Sequence, residues 1–248
     1  MRQGLAVLCY DKPGVGGSTG NWKQQSFQDR ASELLAAVDF LKQTDAHKFQ
    51  NIGLFGHSQG GWIVFLAASQ SNSIDFVISN SGPAISPAEQ DKFGLRSTNQ
   101  QNGLAEADIQ QALELHEQLV DGAKNELPFD QVSNLIKSRT NLAWESYFSF
   151  DADSWDFFKK VFNYDPIPAM RGTQCPSLVL LGGKDLLVPA QHCYPIFQAN
   201  LIQSDHQLHL FPDANHRMKV GEDKRVDPEY FNVIRSWLIE HNIPERHG

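Results

Sequence analysis

The chain has 248 residues, 41% of them hydrophobic and 20% charged, enough for one large domain or a domain carrying an insertion. A formal net charge of −8 argues against a nucleic-acid groove or a polybasic membrane surface. The apolar run "WIVFLAA" is far short of the roughly 20 residues that a membrane span needs.

Five apolar runs have strand length and are bounded by turn residues. The first is "GLAVLCYD", from Gly4, and it leads into a glycine-rich loop, "KPGVGGSTG". Next, "SFQDRASELLAAVDFLKQT" predicts a helix. Ser26 with Asp29 is a capping-box start, and Phe27, Ala31, Leu34, Leu35, Val38 and Leu41 recur at helical spacing. A second strand, "NIGLFGHS" from Asn51, completes a strand–helix–strand unit with parallel strands. "QGGWIVFLAASQ" then predicts a second helix and "DFVISNSG", from Asp75, a third strand.

The alternation breaks between about Pro83 and Gly172. "AEADIQQALELHEQLV" and "DQVSNLIKSRTNLAWESYF" have helical patterns, followed by a piece rich in aromatic residues with Trp155, Phe157 and Phe158. A helical insertion between two strands of a parallel sheet emerges at an end of the sheet, where it can act as a lid. Two further strands, "PSLVLLGG" from Pro176 and "HQLHLFPD" from His206, and a closing amphipathic helix, "DPEYFNVIRSWLIEH", follow. Most of the runs are too uniformly apolar for a one-sided sheet, so they suit one covered on both faces. The expected division is 1–82 as the first part of the core, 83–172 as a helical lid and 173–248 as the second part of the core.

Gly56-His57-Ser58-Gln59-Gly60 fits G-x-S-x-G and sits between a predicted strand and a predicted helix, the context of a nucleophile elbow. There the flanking glycines, Gly61 included, let strand and helix approach closely, and the Gln59 N–H at the helix start points at a developing oxyanion. A serine hydroxyl needs a base, and the base an orienting carboxylate. Asp185 falls just past the fourth run and His216 just past the fifth, in the order Ser, Asp, His. Asp213, in the same loop as His216, is expected to shape the turn instead. His57 is internal to the elbow, and the other seven histidines fall elsewhere: His206 and His209 in or beside a strand run, His47, His116 and His192 in helix or loop patterns, His241 and His247 near the terminus.

These motifs carry a resemblance over nearly the whole chain. "YDKPGVGGSTG", "GHSQGG", "YDPIPAMRGTQCPSLVLLGGKDLLVP" and "NH" are similar to the corresponding segments of the α/β-hydrolase superfamily, near bacterial esterases of the serine-aminopeptidase and dienelactone-hydrolase branches. The resemblance implies an α/β-hydrolase fold, a mostly parallel sheet flanked by helices, with Ser58 as nucleophile, Asp185 as acid and His216 as base. Pro13 departs from it, standing where the family usually carries arginine. The resemblance also implies that "GLAVLCYD" corresponds to the fourth strand of an eight-stranded sheet, so that the N-terminal strands and the loop giving a second oxyanion N–H are missing. On that expectation the sheet has five strands, either "GLAVLCYD" pairs directly with "NIGLFGHS" or the chain is a truncated product that needs its missing part, and turnover is weak or absent.

The function expected is hydrolysis of a small-molecule carboxylic ester through an acyl-enzyme, with no cofactor, no metal, no nucleic acid and no membrane span. Aminopeptidase-type and thioester hydrolysis use the same machinery, and a non-catalytic binding protein of this fold is a further alternative. A dinucleotide loop at Gly14, Gly16, Gly17 and Gly20 is disfavoured because no helix starts at its end. "DADSWD" lacks the glycine of a calcium loop, so Asp151, Asp153 and Asp156 suit helix capping. Cys9, Cys175 and Cys193, odd in number and without CxxC spacing, are expected as free thiols, which leans toward a cytoplasmic location. No charged-then-apolar leader stands at Met1.

Overall fold

The structure is a computed structural model that describes residues 5–44, 50–139 and 144–243. Gly4, His47, His247 and residues 140–143, on which some of the expectations above fall, lie outside the described residues. Four strands form a parallel sheet in the order β1 (Gly53–His57), β2 (Phe76–Asn80), β3 (Ser177–Gly182), β4 (His206–Phe211). Because all four run the same way, Ser58, Ser81, Gly183 and Pro212 leave the sheet at one edge.

The helices cover both faces. Alternate residues of β3 point to opposite sides, as the two-residue period of a strand requires. Val179 and Leu181 join the larger apolar cluster with α2 (Gln59–Ala68) and α8 (Ala190–Asn200). Leu178 and Leu180 join a smaller one with Trp237 and Leu238 of α9 (Tyr230–Glu240). Every residue of β3 is buried, which is why "PSLVLLGG" shows no polar alternation.

Helix α1 (Phe27–Gln43) starts as its sequence predicts. Ser26 accepts from the Asp29 N–H while the Asp29 carboxylate accepts from the Ser26 N–H, satisfying two of the helix's orphan donors. It packs on α2. Between β2 and β3 the described chain is helical: α3 (Pro87–Gln101), α4 (Glu106–Lys124), α5 (Phe129–Lys137), α6 (Ala152–Val161) and α7 (Ile167–Gly172), with a 3₁₀ turn at Glu145–Phe148. The apolar residues of this segment, among them Ile109, Leu115 and Trp155, belong to the same cluster as Val179 and Leu181. Asp151 caps α6 by accepting from the Ser154 N–H, the bland use expected of "DADSWD".

Two expectations about strands need correction. "GLAVLCYD" is not a strand over its described residues, so the main sheet has four strands rather than five. A strand exists through its ladder partner, and no backbone hydrogen bond joins residues 5–10 to β1. Val7, Leu8 and Tyr10 are exposed, and β1 is left as an edge whose Phe55 is 56% exposed. Conversely, β5 (Lys219–Val220) and β6 (Arg225–Val226) form a small antiparallel pair that two-residue strands could not announce by periodicity. The helical pattern from Asp130 stops at Lys137, and the later residues Glu145–Phe148 form the 3₁₀ turn instead.

Candidate active site

The turn from β1 into α2 holds Ser58 at φ 55° and ψ −121°, a left-handed backbone that a side-chain-bearing residue seldom adopts. Such strain costs on the order of 1–3 kcal/mol and persists where the surroundings enforce it. Here the Ser58 N–H donates to the Asn80 carbonyl at 2.9 Å, and the Ser58 carbonyl accepts from the Gly61 N–H at 2.8 Å. A Cβ on Gly56 would overlap the Gly60 backbone and lie 2.9 Å from Val64 Cγ1. One on Gly61 would lie 2.5 Å from Gly82 Cα and 2.8 Å from Ser79 Oγ. At Gly60 a Cβ would meet nothing within 4 Å. Close approach of strand and helix therefore requires Gly56 and Gly61, not Gly60 as the sequence pattern suggested.

Helix α2 begins at Gln59 with no side chain capping it, the Ser58 hydroxyl included. The Gln59 side chain turns the other way, its Oε1 accepting from Arg30 Nη1 of α1. Arg30 is buried with its guanidinium 5.3 Å from the Trp22 ring and 5.1 Å from that of Phe157. Nothing in the local sequence links Arg30 to the elbow; the contact spans 29 positions and depends on α1 lying against α2.

Asp185 and His216 meet across the loops that follow β3 and β4. His216 Nδ1 lies 2.7 Å from Asp185 Oδ2. The carboxylate accepts, so Nδ1 carries the proton. The loops can touch because Gly182 and Gly183 have no side chains: a Cβ on Gly182 would lie 2.6 Å from the Ala214 carbonyl oxygen. The backbone ties them further, with Gly183 N–H donating to the Phe211 carbonyl at 2.8 Å and Lys184 N–H to that of Ala214 at 2.9 Å. Asp185 is 6% exposed, and its second oxygen, Oδ1, accepts from the Leu187 N–H at 2.7 Å and the Val188 N–H at 3.0 Å. Two backbone donors and one imidazole N–H thus give both oxygens of a buried carboxylate a partner.

Asp213, the rival carboxylate, is exposed and pairs with Lys184 Nζ at 2.7 Å. His57, internal to the elbow, packs its ring 4.9 Å from that of His216, and its Nδ1 lies 2.8 Å from Asn80 Nδ2 and 3.2 Å from the Asn80 carbonyl oxygen. Partial desolvation, and then the neighbouring His216, push the His57 pKa down. The sequence signal for this contact was available only as adjacency to Ser58. Among the described residues no hydrogen bond joins Ser58 Oγ to His216. None of them form a group of three or more His, Cys, Asp or Glu side chains able to hold a metal.

Parallel strands covered by helices on both faces, a serine on a tight strand-to-helix turn and a His–Asp pair on neighbouring strand ends define an α/β protein with a candidate site at the carboxyl ends of the strands. The chain belongs to the α/β-hydrolase fold family, whose model matches residues 2–220. It is 21% identical over 241 residues to an uncharacterized 31.7 kDa protein of the traX-finO intergenic region of Escherichia coli, covering 86% of this chain and 73% of that one. Among solved structures it is similar to a Pyrococcus furiosus esterase, with a TM-score of 0.54 and 16% identity over 91% of this chain and 66% of that one. It is likewise similar to a Paleococcus ferrophilus monoacylglycerol lipase, with a TM-score of 0.53 and 19% identity over 93% and 82%. Among the described residues no helix is long and apolar enough to cross a membrane.

Proposed function

We propose that the protein is a serine hydrolase that cleaves carboxylic esters through an acyl-enzyme. The observation that carries this reading is the 2.7 Å His216–Asp185 pair at the same sheet edge as a serine held in a strained elbow. In this reading His216 Nε2 takes the Ser58 proton as Oγ attacks the acyl carbon, and Asp185 holds the imidazolium that forms. The Gln59 N–H, at a helix start that no side chain caps, stabilises the oxyanion. Collapse of the tetrahedral intermediate expels the alcohol with a proton from His216. Water activated by the same histidine then releases the acid.

The helices between β2 and β3 act as a lid in this scheme. Leu186 and Leu187, exposed beside Asp185, offer apolar surface to the substrate. Ester, thioester and amide substrates would all meet the same groups.

The test is covalent labelling by a fluorophosphonate, run beside a panel of acyl p-nitrophenyl esters, thioesters and aminoacyl amides. Labelling and ester turnover that vanish in Ser58→Ala, with the protein still folded, are the expected result. Labelling that persists in the variant at the wild-type level removes Ser58 as nucleophile. A wild-type protein that neither labels nor turns over any substrate makes this a binding protein instead.

A further inference from the structure

The Asp185 carboxylate is held by two peptide N–H groups, and each of those peptides is gripped at its far end by helix α3. The Leu186–Leu187 peptide donates its N–H to Asp185 Oδ1 at 2.7 Å, while its carbonyl, that of Leu186, accepts from Ser97 Oγ. The Leu187–Val188 peptide donates its N–H to the same oxygen at 3.0 Å, and its carbonyl, that of Leu187, accepts from Gln90 Nε2 at 2.8 Å. Gly94 lies between them on α3, and even a Cβ there would lie only 3.6 Å from Leu187 Cδ2. Ser97 has one proton and three carbonyl acceptors in reach, those of Phe93, Gly94 and Leu186.

We propose that α3 positions Asp185: Gln90 and Ser97 fix, from the outside, the two peptide planes whose N–H groups hold its carboxylate on His216. The physics follows from the peptide itself. A peptide is planar, so fixing its C=O fixes the direction of its N–H on the opposite side. A hydrogen bond accepted at the carbonyl also polarises the same unit and strengthens the bond its N–H donates, by about 10–30%. Two such relays converge on one carboxylate oxygen. Among the described residues the other oxygen has His216 as its one hydrogen-bond partner.

The consequence is a link between the helical segment and the dyad. Gln90 and Ser97 lie 95 and 88 positions before Asp185 in the chain and act on it through the peptides they hold, so they are positioning residues. If α3 moves away from the 186–188 loop, both relays open together and Asp185 loses its orientation while keeping its charge. The inference deepens the proposed function and rests on Asp185 acting as the acid of that reaction.

The experiment compares wild-type protein with Gln90→Leu, Ser97→Ala, the double variant and Ser97→Thr. Each is followed by steady-state ester hydrolysis, thermal unfolding and the low-field proton resonance of the His216 Nδ1–H···Asp185 bond. A misplacement of about 1 Å in supporting geometry costs on the order of 10² in rate. The expected result is therefore kcat lowered about tenfold in each single loss and about 100-fold in the double variant, with KM within about twofold. The low-field resonance should shift or broaden in the same order, and Ser97→Thr, which keeps the hydroxyl, should recover most of the loss.

A double variant with wild-type kcat and an unmoved resonance overturns the proposal. So does a loss that appears only in KM, or one that follows the unfolding temperature while the resonance stays put. The resonance does not require turnover. A wild-type protein that fails to label with fluorophosphonate therefore sinks the proposed function, while the resonance still tests the link from α3 to Asp185.

Discussion

Two consecutive glycines at the start of α2 separate a steric requirement from a sequence pattern. An alanine Cβ at position 61 would lie 2.5 Å from Gly82 Cα and 2.8 Å from Ser79 Oγ, and the first of these is backbone that no rotamer change can move. Carbon atoms in contact sit about 3.5–4.0 Å apart, so α2 and the turn after β2 must part by on the order of 1 Å. Overpacking of this kind costs about 1–3 kcal/mol, and a backbone clash belongs at the upper end. Alanine in the helix regains up to about 1 kcal/mol of propensity, leaving a net cost of about 2 kcal/mol. For a chain of this length each kcal/mol moves the unfolding midpoint by about 2–4 °C, so Gly61→Ala should lower it by about 4–8 °C. The same displacement strains the Ser58 N–H bond to Asn80 and should slow fluorophosphonate labelling by roughly 10²-fold. Gly60→Ala is the control, because a Cβ there meets nothing within 4 Å. Replacing a helical glycine with alanine gains up to about 1 kcal/mol of helix propensity, so its midpoint should hold or rise. Differential scanning calorimetry and labelling rates on the two variants decide the matter. Equal midpoints for Gly60→Ala and Gly61→Ala would refute the steric reasoning.

Other expectations follow from single contacts. Asp185→Asn should lower kcat by a factor on the order of 10⁴, as expected when a histidine loses its orienting carboxylate, whereas Asp213→Asn, which breaks only an exposed pair with Lys184, should leave steady-state hydrolysis within a fewfold of wild type. In a thiol titration at pH 8 the exposed Cys9 should react first. Burial pushes the half-buried Cys175 thiol up to about 11, so it should react more slowly than Cys9, and that of the fully buried Cys193 to about 12, so it should wait for unfolding; a rapid count of three thiols would contradict this. Ser26→Ala should cost about 1 kcal/mol by removing the cap of α1. The Ser26 hydroxyl, and then its N–H, hold the Asp29 carboxyl below its ordinary value. A lowered folded-state pKa gives stability that is present above the unfolded value and lost as pH falls through the folded one. The Ser26→Ala difference in unfolding midpoint should therefore shrink between pH 7 and pH 3.

Much of this architecture is legible in local patterns. The capping box at Ser26 and Asp29, the uniformly apolar "PSLVLLGG" and the serine between a strand and a helix each carry their meaning within about a dozen residues. The order of Ser58, Asp185 and His216 along the chain is equally a matter of sequence. What local pattern could not supply was pairing. "GLAVLCYD" is as apolar as the true strands, yet residues 5–10 have no ladder with β1, because strand formation depends on a partner and not on composition alone.

The residue types and their places just past apolar runs mark Ser58, Asp185 and His216 as the candidates for nucleophile, acid and base, since only certain side chains do that chemistry. Tertiary structure decided what holds them. Gly182 and Gly183 admit the His216 loop to within 2.7 Å of Asp185, Gly61 rather than Gly60 admits β2's turn to α2, and α3 reaches the peptides beside Asp185 from about 90 residues away in the chain. The physical reason is common to all three. Contact distances of 3 Å are fixed by packing between segments remote in sequence, and a glycine or glutamine carries no mark of the partner it will meet.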